Sequence, residues 1–197
     1  MTNIQDAAFA KGLADRLRKE RELRRWSIDE LAGQSGVSRA MISKIERGES
    51  SPTATLLGRL SGAFNLTTSQ LLHQVERDAG VGRGRLNRVA AQWLWQDPAT
   101  GFIRRLLTPS AADGPLELIW GELPGGTKIA YPAEAYRFIE DQQIVVCEGN
   151  LEFSQGGARF DLGPGDCLRL GPPEDCQFHN PGTGICRYIV AVLRART

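Results

Sequence analysis

A chain of 197 residues with 41% hydrophobic residues has room for one or two compact cores. No apolar run approaches the roughly 20 residues of a membrane span, and MTNIQDAAFAKGL lacks the apolar core of a signal peptide, so no membrane association is expected and the cytosol is the expected compartment. The net charge of +1 hides an asymmetry: residues 1–80 carry 12 basic and 10 acidic side chains, residues 81–90 three arginines and no acid, and residues 91–197 carry 9 basic and 13 acidic. Only the N-terminal part and the segment after it therefore suit contact with a polyanion.

Residues 1–8 are polar, and a helix is predicted from Phe9 to about Arg25, with Leu13, Leu17 and Leu23 on its apolar side. Arg16, Arg18, Lys19, Arg21, Arg24 and Arg25 read as a solvated face. Ser27-Ile28-Asp29-Glu30 has the S-x-x-E form of a capping box and opens a second helix, with Ile28, Leu31 and Ala32 inward. After a short turn, Gln34–Val37, Ser38 is an N-cap for a third helix that Ile42 and Ile45 anchor and Gly48 ends. Arg39, Ala40, Ser43 and Lys44 are left free on it, and these groups suit the edges of bases in a major groove. Ser51-Pro52 predicts the start of a fourth helix through Leu56, Leu57, Leu60 and Phe64, and Thr67-Thr68 caps a fifth ending near Leu72. His73 has no partner within its motif and reads as a surface histidine.

Two helices joined by a tight glycine-containing turn make a helix-turn-helix. From Leu13 to Leu72 the chain resembles the Cro/repressor-type (XRE) helix-turn-helix family. The resemblance implies base contacts from Arg39, Ala40 and Lys44, base or phosphate contacts from Ser38, Ser43 and Arg47, and a structural ion pair between Arg21 and Glu46. It departs from the family at Ile28, where many members carry a DNA-contacting Gln. Ser27, with the N–H groups it caps, is the remaining candidate for a phosphate there. A five-helix bundle used for protein contact is the alternative.

Residues 78–88, DAGVGRGRLNR, have three Gly and three Arg and fit a flexible basic connector. The predicted organisation is a DNA-binding domain over 1–77, a linker over 78–90 and a second domain over 91–197. In that second domain the period changes from helical to alternating. QWLWQ, GFIRRLL, LELIWGEL, QQIVVCEG, LEFSQ, ARFDL, DCLRL, CQFHN and ICRYIVAVL predict about nine strands and a sandwich or barrel. LPGG, EGNLEF, LGPGDCLRLGPP and FHNPG, between about Leu118 and Val192, resemble the cupin family. The resemblance implies a double-stranded β-helix, or jelly-roll barrel, so the fold class is α + β with two domains.

Metal-binding cupins carry H-x-H and Glu in a first motif and one His in a second. With Gly149 closing the first motif, Gln142 falls on the Glu position, and Tyr136 and Phe138, or Ala135 and Arg137, fall on the His positions. Cys176 falls where the second motif's His belongs, and His179 should face away from Cys176 and Phe178. The chain has only two His, so no three-His site is available within one barrel and neither metal nor other cofactor is expected. Cys147, Cys167, Cys176 and Cys186 form no C-x-x-C pair and read as buried thiols.

Without a metal set, a Ser/His/Asp set or paired carboxylates, the barrel reads as a binding module, not an enzyme. Tyr136, Arg137, Phe138, Gln142, Cys176 and Phe178 are the candidate ligand-binding residues, with a closed aromatic core as the alternative. Fused domains of these two kinds resemble bacterial transcription regulators. The expectation is a homodimer on a pseudo-palindromic double-stranded DNA operator, with a small-molecule effector in the barrel. Trp93, Trp95 and Trp120 are the aromatics expected to need cover at the dimer contact. The alternatives are a cupin enzyme tethered to a DNA-binding domain and an antitoxin-like partner protein.

Overall fold

The computed structural model describes residues 4–72, 85–92, 94–109 and 114–194. Five helices come first: α1 (Ile4–Leu23), α2 (Ile28–Ser35), α3 (Arg39–Glu46), α4 (Ala54–Ala63) and α5 (68–72). Leu13, Leu17, Leu31, Ile42, Ile45, Leu57, Leu60 and Phe64 form their common core. α1 begins earlier than its apolar pattern predicts, and a turn closes it before Arg25, which takes φ 56°. Its arginines are not simply a solvated face. Arg16 pairs with Glu20, while Arg24 pairs with the same carboxylate and lies 5.0 Å from the centre of the Phe64 ring. Arg21 grips the Glu46 carboxylate at 2.8 Å through both Nε and Nη2, as the resemblance implies.

The start of α4 differs from expectation. Thr53, not Ser51, is the N-cap, and its hydroxyl accepts from Leu56 N–H. Pro52 is buried just outside the helix. Thr67 does cap α5: its Oγ1 accepts from Gln70 N–H and its own N–H donates to Gln70 Oε1.

Among the described residues ten strands follow: β1 (Leu94–Gln96), β2 (Ile103–Leu106), β3 (Leu116–Leu123), β4 (Lys128–Tyr131), β5 (Ile139–Glu148), β6 (Leu151–Gln155), β7 (Ala158–Leu162), β8 (Cys167–Arg169), β9 (Cys176–His179) and β10 (Cys186–Arg194). They make an antiparallel six-stranded sheet, β1-β2-β3-β10-β5-β8, and a four-stranded one, β4-β9-β6-β7. This is the jelly roll of a cupin barrel. β4 is absent from the sequence-based set of strands. The turn residues that carry the cupin resemblance do structural work: Asn180 donates to the carbonyls of Leu123 and Gly184 at 2.8 Å and accepts from Gly182 N–H. Gly149 turns at φ 75°, a left-handed conformation that glycine adopts without steric cost.

The two domains are packed together. Asp97, at the end of β1, accepts from Ala54 N–H at 2.8 Å, so the barrel caps a helix of the other domain. Thr55 Oγ1 donates to the Ala130 carbonyl at 2.9 Å. Gly58 and Gly62, one turn apart on α4, allow the approach. A Cβ at Gly58 would stand 2.8 Å from the Tyr131 ring, and one at Gly62 2.9 Å from the Glu134 carbonyl oxygen. Most of the expected linker, residues 78–84, lies outside the described residues. Its far end is tied down, since Asn87 Nδ2 donates to the carbonyls of Leu106, Leu107 and Thr108 at 3.3–3.4 Å.

Candidate functional site

The first candidate surface is built on α3. Ser38 caps it, accepting from Met41 N–H at 3.3 Å, and Ile42 and Ile45 are buried beneath. With those two inward, the helical period turns Arg39, Ala40 and Lys44 to solvent, and all three are exposed. Gly36, at φ 64°, closes α2 and sets the turn between the two helices.

Two of the surface's cations have acidic neighbours. Arg39 Nε lies 3.4 Å from Asp29 Oδ1 on α2. Arg47 donates to both oxygens of Glu49 at 2.6 and 2.7 Å and also to Ser43 Oγ. Ser27 forms the full capping box: it accepts from Glu30 N–H at 3.1 Å while Glu30 Oε2 accepts from Ser27 N–H at 2.7 Å. Hydrogen bonds from the Ser27 N–H and hydroxyl to that carboxylate hold it below its usual range. An anion thus already sits at the start of α2, and a phosphate there must share the place with Glu30.

The second candidate lies inside the barrel. A cavity lies among Phe102, Ile119, Tyr131, Tyr136, Gln142, Phe178, Tyr188 and Val190, with the capping Thr67 and Thr68 and Ser69 of α5 in its wall. About 70 Å³ of it is open to the centres of water-sized molecules. One water needs roughly 10–15 Å³ by that measure, so the aromatics do not close into a solid core. Phe178 stacks on Tyr188 at 5.6 Å and meets Phe153 edge-on at 4.9 Å.

Of the expected ligand-binding residues, Tyr136, Gln142 and Phe178 line this cavity. Cys176 is buried beside it, donating to Tyr136 Oη at 3.1 Å. Arg137 and Phe138 are corrections: neither lines the cavity, and Arg137 is exposed. The cupin motif spacing places them wrongly because Ala133–Tyr136 is a 3-10 turn and β5 begins only at Ile139. Sequence reasoning missed Arg104 and Glu117, both buried and both in the lining. Their inward positions on β2 and β3 become visible only once the strand registers are known.

The residues at a cupin's metal positions do not fit a divalent cation. Burial pushes the Cys176 thiol up to about 11, so it is protonated at neutral pH, and Gln142 offers only a neutral amide. Among the described residues no three His, Cys, Asp or Glu side chains gather where an ion could be held. His179 faces away from the cavity and meets Glu152 at 2.6 Å on the outside of β9. The same burial argues against Cys176 as an oxidation sensor, which needs an exposed, low-pKa thiol.

Residues 17–71 match the helix-turn-helix family model HTH_3. The chain is 40% identical over 64 residues to the HTH-type transcriptional regulator SutR of Escherichia coli (strain K12), covering 32% of this chain and 36% of that protein. It thus spans about a third of SutR's length. It is 33% identical over 89 residues to the HTH-type transcriptional regulator DdrOP3 of Deinococcus deserti, covering 45% of this chain and 68% of that one. A crystal structure of an HTH_3 family transcriptional regulator from Vibrio cholerae shares the fold at TM-score 0.77 and 24% identity, over 97% of this chain and 99% of that one. Among the described residues no helix is long and apolar enough to cross a membrane. With its capped α3 and its Arg21–Glu46 brace, this chain belongs to the XRE-type helix-turn-helix transcriptional regulators, and its second domain is a jelly-roll barrel.

Proposed function

We propose that the protein is a sequence-specific DNA-binding transcription regulator whose barrel senses a small molecule. The observation that carries this is the joint placement of an exposed Arg39-Ala40-Lys44 surface on α3 and a cavity walled partly by α5 of the same helical domain. In this reading Arg39 and Lys44 read base edges, Ala40 meets a thymine methyl, and Ser27, Ser38, Ser43 and Arg47 hold phosphates. Tyr136, Gln142 and Phe178 meet the effector directly, while Cys176 fixes the Tyr136 hydroxyl. Filling the cavity shifts α5 and α4 against the barrel, and with them the placement of α3 on DNA.

The active unit in this reading is a homodimer on a pseudo-palindromic operator, because a single short helix reads only a few base pairs. The outer face of the six-stranded sheet suits a second copy. Leu116, Leu118 and Trp120 on β3 pair there with Leu193, Ala191 and Ile189 on β10. Arg105, Glu122, Arg187 and Glu148 form ion pairs beside this apolar ladder. Trp95 takes no part, because it is buried inside the barrel, and Trp93 lies outside the described residues.

Electrophoretic shift on the DNA flanking the protein's own coding region, repeated with a panel of metabolites, tests the function. A discrete complex that competitor DNA of unrelated sequence fails to displace, and that one metabolite dissolves or strengthens, is the expected result. Equal affinity for all DNA would refute sequence-specific regulation.

A further inference from the structure

Two buried glutamines of the barrel are held differently. Gln155, at the end of β6, uses its whole amide on the segment after β8: Oε1 accepts from Gly171 N–H at 3.0 Å, and Nε2 donates to the Pro172 carbonyl at 3.1 Å. Gln142 is equally buried, at 8% exposure, and strand alternation on β5 turns it inward with Ile144 and Val146. Among the described residues its side-chain amide makes no hydrogen bond. An amide buried without partners is destabilising, and a leucine would serve better in a purely structural wall.

The position of Gln142 shows what can reach it. It lines the cavity with Tyr136 and Ile139, and the same three residues line a second, wider cleft between the start of β5 and residues 171–173. Gln142 therefore stands where the cleft leads into the cavity. Across the sheet it faces Val192 of β10, and Val146 faces Tyr188, so Gln142 marks the mouth and Tyr188 the inner end, with Ile144 and Val190 between. The charged side chains in the lining, Arg104 and Glu117, are of opposite sign and both are engaged, Arg104 with Ser69 among its partners and Glu117 with Arg194 and Thr67. Burial raises the Tyr131 and Tyr188 phenols, which stay neutral at pH 7. The lining thus suits an uncharged guest. Its 70 Å³ corresponds to roughly five to seven waters, room for a body of about one ring.

We propose that this cavity binds an uncharged single-ring amide or lactam, its N–H and carbonyl paired with the Gln142 side chain at the mouth and its ring packed against Phe178, Val190 and Val192. The assignment rests on the sensor function proposed above and deepens it, giving the effector a chemical class and a way in. A glutamine presents a carbonyl acceptor and an N–H donor side by side. A guest with the same pair side by side, as in a primary amide or a lactam, makes two parallel hydrogen bonds with it. A ketone or a carboxylate has no donor for the Gln142 carbonyl, and a carboxylate also brings a charge that the lining does not balance.

The test uses the full-length protein. Benzamide, 2-piperidone, acetophenone and benzoate are titrated by calorimetry and by melting temperature. At least one of the two amides is expected to bind and raise the melting temperature, with acetophenone and benzoate about tenfold or more weaker. Gln142→Leu should weaken that amide about tenfold or more, yet without ligand it should melt at or above the wild-type temperature, because it removes an unpartnered polar group. If Gln142→Leu fails to fold, Gln142→Met, which keeps the length, takes its place in both comparisons. No amide binding at about 10 mM, equal binding of amide and ketone or of amide and carboxylate, or an amide affinity that survives the substitution overturns the assignment. So does a ligand-free variant that melts well below wild type, which would make Gln142 structural. Operator shift assays on the same preparations separate the two readings. Specific DNA binding without amide binding removes the effector class alone, whereas loss of specific DNA binding by the wild-type protein removes the regulator reading even if an amide binds.

Discussion

In the proposed reading Arg39 bears most directly on operator choice, since an arginine bidentate to guanine contributes roughly 1–3 kcal/mol of discrimination. Arg39→Ala should lower specific binding about tenfold or more and spare non-specific binding, as competition shift assays would reveal; an equal fall in both makes Arg39 a phosphate contact. Its approach to Asp29 is exposed on both sides, so exchanging that partner for a base costs little. Arg47 is held differently, by two short bonds to Glu49. Glu49→Gln should release it, raising non-specific affinity a few fold and steepening the dependence of binding on log salt by about one; an unchanged slope argues against a phosphate role for Arg47. The cysteines divide by burial: Cys147 and Cys167 are exposed, Cys176 and Cys186 buried. A thiol reagent at pH 8 should titrate two cysteines in the native protein and four after unfolding. Burial raises both inner thiols to about 11, above the roughly 8.5 of an unfolded cysteine. Their contribution to stability is therefore complete below about pH 8.5 and is lost as pH rises towards about 11, because only the unfolded chain ionises in that window.

At the scale of elements, α4 sets how closely the two domains pack. Gly58 and Gly62 bring it against Tyr131 and the Ala133–Tyr136 turn, and the atoms facing Gly62 are backbone, which cannot swing aside. Gly62→Ala should therefore push α4 off the barrel and lower stability by about 1–3 kcal/mol in urea denaturation, although alanine is the better helix former. A gain in stability would mean that the contact is slack. These glycines show where the sequence was mute: within α4 they read only as poor helix formers, because their use lies in a surface more than 60 residues away in the chain. Features closed by nearby residues were legible. Ser27 and Glu30 form their capping box within one turn, and Asn180 is satisfied largely by its own loop. β4 was not, since KIAY offers only one buried residue, Ile129, too little alternation to mark a strand. The expected cavity positions failed at Arg137 and Phe138 for a related reason, because the cupin motif spacing assumes an extended strand where Ala133–Tyr136 forms a 3-10 turn. Arg104 escaped notice because arginine in a strand normally points to water.

For the whole molecule, the decisive property is assembly. α3 is eight residues long; in the proposed reading it reaches only a few base pairs, and useful specificity then requires two copies facing half-sites about one helical turn, ~34 Å, apart. The helical domain meets its own barrel through hydrogen bonds from Ala54, Thr55 and Thr67. A two-fold contact between barrels would therefore fix the separation of the two α3 helices, as a free linker would not. Leu116 and Leu118 stay exposed on the outer face of the large sheet, and Trp120 is only partly covered, its ring 5.7 Å from the Arg105 guanidinium. Across a two-fold axis the same ladder would meet itself, burying the leucines and letting Arg105, Glu122 and Arg187 pair at the rim. Leu118→Glu places a carboxylate at the middle of that ladder in each copy. It should yield a monomer by light scattering at micromolar concentration, with an unchanged helical spectrum and operator affinity at least tenfold weaker, since a half-site alone remains. Wild-type protein that is monomeric under the same conditions would rule out the barrel contact, and a Leu118→Glu dimer would move it to another face.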